Sequence, residues 1–117
     1  MTDGPAPGTE DPEAYVETVL RLVEQVPAGR VTTYGDLADA VGRGGPRQAG
    51  RVLATWGGGV PWWRVVRADG SPARGHEAEA LRRLAAEGAP LRGPRVVLSQ
   101  ARHPFAAPRP GPGPGAS

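Results

Sequence analysis

The sequence contains no cysteine and no lysine, and only two histidines, His76 and His103, among its 117 residues. The lack of cysteine excludes disulfides, a thiolate nucleophile and cysteine-ligated zinc. The two histidines are far apart in the chain and no carboxylate-rich motif accompanies them, so we expect neither a metal nor another cofactor. Exposed loop or helix-start positions are the ordinary expectation for both.

Long apolar runs are also missing. No uninterrupted stretch of about 18 apolar residues occurs, so the sequence predicts no membrane-spanning helix. Residues 1–12 are acidic and rich in proline and glycine, without the basic and apolar regions of a secretory signal. We therefore expect a cytoplasmic protein, associated with the nucleoid if it is bacterial.

The charges that are present are segregated. Residues 1–29 carry six acids and one arginine, whereas residues 30–103 carry twelve arginines and six acids. Arginine binds phosphate in bidentate fashion, so a basic body behind an acidic leader predicts a polyanionic partner such as nucleic acid. A GC-rich genome would explain the preference for arginine over lysine, but not this segregation.

Proline and glycine divide the chain into three parts. We predict a flexible acidic leader over residues 1–11, a folded domain over residues 12–103 and a disordered Pro/Gly-rich tail over residues 104–117. Asp11 can cap a first helix that has Pro12 at its first position and stops at residues 27–29. Near the end of the domain, residues 95–98 can form a short closing strand.

The middle of the chain has the pattern of a helix-turn-helix. Thr33 can cap a second helix that stops at Gly42, and Pro46 opens a third helix after a glycine-rich turn. The third helix has an apolar stripe: Ala49, Val52, Leu53 and Trp56. Its opposite face is polar and basic: Arg47, Gln48 and Arg51. We predict a mainly α fold with a short β element, a winged-helix-like helix-turn-helix DNA-binding domain. An ordinary helical hairpin with solvated arginines is the alternative.

Gly50 lies inside this third helix, where it costs roughly 1 kcal/mol relative to alanine. A packing reason in the core is one explanation, and close approach of the helix backbone to a groove wall is another. With Ala49 and Ala54 nearby the helix is slim. A slim basic helix favours the minor groove, where sequence discrimination is poor.

Four ordered segments resemble the methylated-DNA–protein-cysteine methyltransferase family. VPAGRVTTYGDLA at residues 26–38 resembles the opening of its helix-turn-helix, and RQAGRVL at residues 47–53 its recognition helix. PWWRV at residues 61–65 stands where the family has PCHRV, and Glu87-Gly88 matches a later EG. The resemblance covers residues 16–95. It implies the family's DNA-binding fold.

The departures from the family pattern concern its chemistry. Trp62 stands where the repair enzymes have the cysteine that accepts the alkyl group, as in alkyltransferase-like proteins, which bind alkylated DNA without repairing it. Trp63 replaces the proton-relay histidine, and only Glu87 of the relay remains. An indole has no useful nucleophilicity and no neighbouring serine or lysine replaces the thiol. We therefore expect no alkyl transfer and no catalytic residue.

The resemblance also implies a set of DNA-binding residues. Arg47 matches the arginine finger that fills the gap left by a flipped base, and Tyr34 matches the tyrosine that presses on the adjacent phosphate. The full set of DNA-binding candidates is Thr33, Tyr34, Arg47, Gln48, Gly50 and Arg51. The candidates for the alkylguanine pocket are Tyr34, Trp62, Trp63 and Arg74. On pattern alone, Tyr34 and both tryptophans could equally be core residues.

The implied function is recognition of O6-alkylguanine in double-stranded DNA by base flipping, which marks the lesion for other repair such as nucleotide excision repair. The expected partners are alkylated duplex DNA and nucleotide excision repair proteins, bound by a monomer. One alternative is a winged-helix transcription regulator that binds undamaged DNA. Another is a degenerate scaffold that presents Trp62 and Trp63 to a protein partner.

Overall fold

The computed structural model describes residues 12–105. The predicted leader with its Asp11 cap, and residues 106–117 of the predicted tail, lie outside the described residues. Within the described part the helices are α1 (Pro12–Glu24), α2 (Tyr34–Val41), α3 (Pro46–Trp56), α4 (Glu77–Ala86) and α5 (Leu98–Ala101). The strands are β1 (Thr32–Thr33), β2 (Val65–Val66), β3 (Leu91–Arg92) and β4 (Arg95–Val96). Residues 12–105 include no helix long and apolar enough to cross a membrane.

The first three helices form one core. α1 is amphipathic and buries Val19 and Val23 completely, one helical turn apart. These side chains pack with Leu37 from α2 and with Val52 and Leu53 from α3. Burying aliphatic side chains of this size contributes about 1.5–3 kcal/mol each. This packing holds α3 against the body and leaves its opposite side free.

The β elements join this core to the second half of the chain. β1 and β2 are parallel, with Thr32 opposite Val65 and Thr33 opposite Val66. The pairing places the start of α2 beside the PWWRV segment, 33 residues later in the chain. A second buried cluster lies on the other side of this pairing and consists of Val31, Val66, Leu84, Ala89, Val96 and Ala101.

α2 and α3 form the predicted helix-turn-helix. The Thr33 hydroxyl accepts a hydrogen bond from the Asp36 amide at 3.0 Å, and Gly42 ends α2 with a left-handed φ of 91°. α3 begins at Pro46, as predicted, so Arg47 stands in its first turn. β3 and β4 form a short antiparallel hairpin. The predicted closing strand is shorter than residues 95–98, because α5 begins at Leu98.

The structure corrects the predicted position of Trp56, which is 58% exposed instead of completing the apolar stripe of α3. The space next to Leu53, where the apolar stripe would continue, is filled by Gly57 and Trp62. A Cβ placed on Gly57 would stand 3.4 Å from the Leu53 side chain and 3.6 Å from Trp62. Helical spacing alone therefore overestimated the length of the buried stripe.

The structure also moves the C-terminal limit of the fold. Phe105, which falls in the predicted tail, is half-buried against the core of α1–α3 and meets the His103 ring edge to face at 5.0 Å. The folded part therefore extends at least to residue 105, two residues beyond the predicted boundary. His103 is half-buried, and His76 is exposed as predicted.

Candidate nucleic-acid interface

The exposed side of α3 is basic and free of internal partners. Arg47, Gln48 and Arg51 are all exposed, and no carboxylate among residues 12–105 pairs with either arginine. These guanidinium groups are therefore available to phosphate. The structure places the predicted DNA-binding residues of α3 on one surface, as the sequence pattern indicated.

Thr33 is placed differently from its predicted role. Its side chain is 4% exposed, and its hydroxyl is committed to the cap of α2. The predicted DNA contact by this side chain is corrected to a structural role, because a buried capping hydroxyl cannot reach a phosphate. The cap fixes the first turn of α2 and hence the position of the next residue, Tyr34.

A cavity of about 510 Å³ lies between α3, the PWWRV segment and the start of α4. Three predicted pocket residues, Tyr34, Trp62 and Arg74, line it together with Gly50. The complete lining is Tyr34, Gly50, Leu53, Ala54, Gly57, Gly58, Trp62, Ala73, Arg74, His76 and Glu79. The cavity shares α3 with the basic surface, so the two are neighbours.

Tyr34 is half-buried at this cavity and contacts the slim part of α3. A Cβ on Gly50 would stand 3.6 Å from the Tyr34 ring, an ordinary van der Waals distance. Burial raises the pKa of Tyr34, and the positive charge of Arg67 offsets this only in part. The hydroxyl is therefore protonated at neutral pH and can donate a hydrogen bond.

Trp62 is held in the cavity wall by two rings. Its indole meets Trp63 edge to face at 5.8 Å and the His76 imidazole at 5.6 Å. Aromatic contacts of this geometry contribute about 0.5–1.5 kcal/mol each beyond area burial. They fix the orientation of an indole that is half-buried and borders open space.

The structure corrects the prediction that Trp63 lines the pocket, since its side chain is not part of the cavity wall. It packs against the second buried cluster, with the Arg83 guanidinium over its ring at 4.5 Å. Its indole N–H donates to Glu87 at 2.9 Å. Trp63 therefore supports Trp62 from behind.

Glu87 forms a polar anchor with Arg64, which joins the two halves of the domain. Arg64 donates to both carboxylate oxygens, at 3.0 and 2.6 Å, and also to the Val26 carbonyl at 2.8 Å. The Gly29 amide donates to the same carboxylate at 3.3 Å. Burial raises the pKa of Glu87, but the hydrogen bonds from Arg64, Trp63 and Gly29 outweigh it and hold the pKa below its usual value.

Among the residues of the cavity that sequence reasoning missed, His76 and Glu79 are the two with titratable side chains. His76 is the residue before α4, and Glu79 follows three positions later in its first turn. Residues three apart share one face of a helix, which is a signal that could have paired them. Nothing in the sequence showed that this face meets Trp62. Within residues 12–105, no cluster of His, Cys, Asp or Glu could hold a metal ion.

Comparison with known proteins gives the same family as the sequence motifs. The family model described as "6-O-methylguanine DNA methyltransferase, DNA binding domain" matches residues 14–89. A "DNA base-flipping protein" of Escherichia coli (strain K12) is 38% identical over 65 residues, which are 53% of this chain and 50% of that protein. A "DNA base-flipping protein" of Vibrio parahaemolyticus is 31% identical over 61 residues, 50% of this chain and 61% of that protein.

Solved structures show the same fold. S. pombe Atl1, crystallised with damaged DNA containing O6-carboxymethylguanine, has a TM-score of 0.72 at 24% identity, over 82% of this chain and 100% of that chain. A second S. pombe ATL structure, in complex with DNA, has a TM-score of 0.64 at 28% identity, over 71% of this chain and 83% of that one. The chain spans about half to three fifths of the length of the curated relatives it matches. It belongs to the family of the 6-O-methylguanine DNA methyltransferase DNA-binding domain, as an alkyltransferase-like protein.

Proposed function

We propose that this protein binds O6-alkylguanine in duplex DNA by base flipping and does not transfer the alkyl group. The observation that carries the proposal is the cavity walled by Tyr34, Trp62 and Arg74 directly beside the exposed arginines of α3. A guanine inside a duplex cannot present its O6 substituent to a pocket without leaving the stack, which costs a few kcal/mol. Stacking on Trp62 returns ~1–3 kcal/mol of this.

The role of Arg47 comes from the family pattern and agrees with the position of its side chain. Arg47, in the first turn of α3, is the finger that enters the space vacated by the flipped base. Arg51 contacts phosphate, while Gln48 and Gly50 face the groove. The relatives support this arrangement, since they are named DNA base-flipping proteins and the fold is shared with a protein crystallised on O6-carboxymethylguanine DNA.

Binding without transfer follows from the residue types at the site. Trp62 occupies the position of the acceptor cysteine in the family motif, and the sequence contains no cysteine. Glu87, the remaining relay residue, is committed to Arg64 and Trp63. A carboxylate held below its usual pKa by three donors is a poor general base.

We propose that the protein acts as a monomer on nucleoid DNA. The bound lesion is then passed to nucleotide excision repair proteins.

Fluorescence anisotropy with paired duplexes tests the proposal. The two duplexes are identical except for guanine or O6-methylguanine at one position, and each is titrated over a salt series. Selective binding of the methylated duplex supports lesion recognition. Sequence preference without lesion preference would support a transcription regulator, and weak binding with a steep salt dependence alone would support a degenerate scaffold.

Arg47→Ala, with Arg21→Ala as its control, tests the finger. Both arginines are exposed and each variant removes one charge, but Arg21 lies on α1, away from the cavity. We expect Arg47→Ala to weaken binding of the methylated duplex roughly tenfold or more and to leave the fold intact. Equal and small losses of affinity for the methylated duplex in both variants would contradict the assignment of Arg47 as the finger.

A further inference from the structure

His76 is an exposed side chain of the cavity without an assigned role. It precedes α4 and makes no capping hydrogen bond, although a polar side chain at this position often does. Within residues 12–105 its imidazole has no hydrogen-bond partner. Its ring contact is with Trp62 at 5.6 Å, with 63° between the planes, and it interacts electrostatically with the neighbouring Glu77. Its ring nitrogens are therefore free to bind a ligand in the cavity.

Alkylation at O6 changes the hydrogen-bonding edge of guanine at a second atom. In guanine N1 carries a hydrogen and is a donor, whereas in O6-alkylguanine N1 has a lone pair and is an acceptor. A flipped base is read through its Watson–Crick edge. A protein donor facing N1 would therefore form a hydrogen bond with the alkylated base. Opposite the N–H of normal guanine, the same donor would be repelled. This difference does not depend on the size of the alkyl group.

Four side chains of the cavity wall carry a donor hydrogen: Tyr34, Trp62, Arg74 and His76. The indole N–H of Trp62 lies in the plane of its own ring, so it cannot reach the edge of a base stacked on that ring. His76 lines the same cavity and stands beside this indole, with 63° between the ring planes, so its imidazole is a neighbour of a base stacked on Trp62. Glu79 offers only acceptors, and its carboxylate is paired with Arg83 at 3.0 Å.

We propose that His76 is a specificity-determining residue, which donates a hydrogen bond to N1 of the flipped O6-alkylguanine. This inference rests on the proposed function, because it requires a base in the cavity. The side chain reads the change from donor to acceptor at N1, and the open side of the cavity accommodates the alkyl group. The discrimination therefore comes from a hydrogen bond and is independent of the fit of the substituent.

The test uses three duplexes that differ in one base: guanine, O6-methylguanine, and the 1-deaza analogue of O6-methylguanine, in which C–H replaces N1. We expect the protein to bind the 1-deaza duplex roughly three- to tenfold more weakly than the O6-methylguanine duplex, the range of one hydrogen bond. His76→Phe keeps a ring against Trp62 but has no N–H. This variant should bind both methylated duplexes equally, and binding of the guanine duplex should not weaken.

Two further variants complete the design. His76→Gln retains an N–H donor. Compared with His76→Phe, it should recover part of the preference for the O6-methylguanine duplex over its 1-deaza analogue. Arg74→Ala removes another donor of the cavity wall and should keep that preference. His76→Phe keeps a ring against Trp62, and Arg74 is exposed, so these two variants should unfold at nearly the temperature of the parent protein. His76→Gln loses the ring contact and should unfold a few degrees lower.

The outcomes separate this inference from the proposed function. If the parent protein does not prefer O6-methylguanine over guanine, the proposed function fails and the inference fails with it. If it does, but His76→Phe still distinguishes N1 from C–H, only the inference is overturned. Loss of that distinction in Arg74→Ala alone would assign the donor to Arg74. An equal loss on all three duplexes in His76→Phe would make His76 a phosphate contact.

Discussion

Replacing Glu87 by glutamine would remove the charge at the centre of the anchor while keeping its shape. The carboxylate accepts two bonds from Arg64, one from the Trp63 indole and one from the Gly29 amide. A glutamine has one acceptor oxygen, and its amide group would place hydrogens against an arginine that can only donate. Arg64 would retain its bond to the Val26 carbonyl and lose its counter-charge.

The expected loss of stability in Glu87→Gln follows from the burial of the Arg64–Glu87 ion pair. Removing one partner of a fully buried ion pair costs 3–5 kcal/mol, because it leaves an uncompensated charge. Here the side chains of Arg64 and Glu87 are 16% and 15% exposed, so solvent reduces the cost and we expect about 2–3 kcal/mol. For a domain of this size each kcal/mol lowers Tm by about 4–8 °C, so Tm should fall by about 10–20 °C.

Urea unfolding as a function of pH measures this effect and its cause. The pKa of Glu87 lies below the ordinary 4.5 in the folded protein. Its contribution is therefore fully present above the unfolded pKa and is lost as the pH falls through the folded pKa. The difference between parent and Glu87→Gln should be constant near neutral pH and shrink below about pH 4.5.

Glu79→Gln is the matched control, because it breaks an exposed ion pair on α4. The side chains of Arg83 and Glu79 are 46% and 40% exposed, so we expect a loss of about 0.5 kcal/mol or less. Equal losses in the two variants, or a Glu87→Gln difference unchanged down to pH 3, would refute the assignment of Glu87 as a charged anchor.

Three further predictions concern backbone and chemistry. Gly50→Ala should raise stability by about 0.5–1 kcal/mol in thermal unfolding, because its Cβ meets only ordinary contacts, and it should weaken duplex binding; unchanged binding would argue against close approach of α3 to DNA. Gly70→Ala should destabilise the fold by at least ~2 kcal/mol more than Gly75→Ala in urea unfolding. Both glycines have positive φ, but only at Gly70 would the Cβ collide with a backbone atom, the Val96 carbonyl oxygen. Trp62→Cys should not transfer methyl groups from labelled DNA, and efficient transfer would show that the remaining residues suffice as a relay.

The features predicted correctly from the sequence are those that neighbours in the chain determine. A threonine three residues before the amide it caps, a glycine that ends α2 and a proline that begins α3 all act within one helical turn. Their physical causes are contained in a short window of sequence. The helix-turn-helix and the exposed basic face of α3 follow from these local signals.

The features that sequence reasoning missed depend on residues distant in the chain. Trp63 leaves the pocket because its indole N–H finds Glu87, 24 residues later. Trp56 is exposed because Gly57 and Trp62 already fill the space beyond Leu53. His76 entered no prediction of the pocket, because only the folded chain brings the start of α4 to Trp62. Periodicity identifies which face of a helix is apolar, but it does not show how far along that face the packing against other elements extends.

The family pattern assigns to Glu87 the last position of a proton relay, and its contacts in this structure explain why that position can persist without a reactive cysteine. A relay residue must exchange protons near neutral pH, which favours a pKa close to the working pH. Glu87 instead has its pKa lowered by donors from Arg64, Trp63 and the Gly29 amide. The resemblance implies that Trp63 stands in place of the relay histidine, and an indole N–H donates but cannot act as a base. On the proposed function, the residue that cannot relay a proton is therefore the one that adds a hydrogen bond to the anchor behind Trp62.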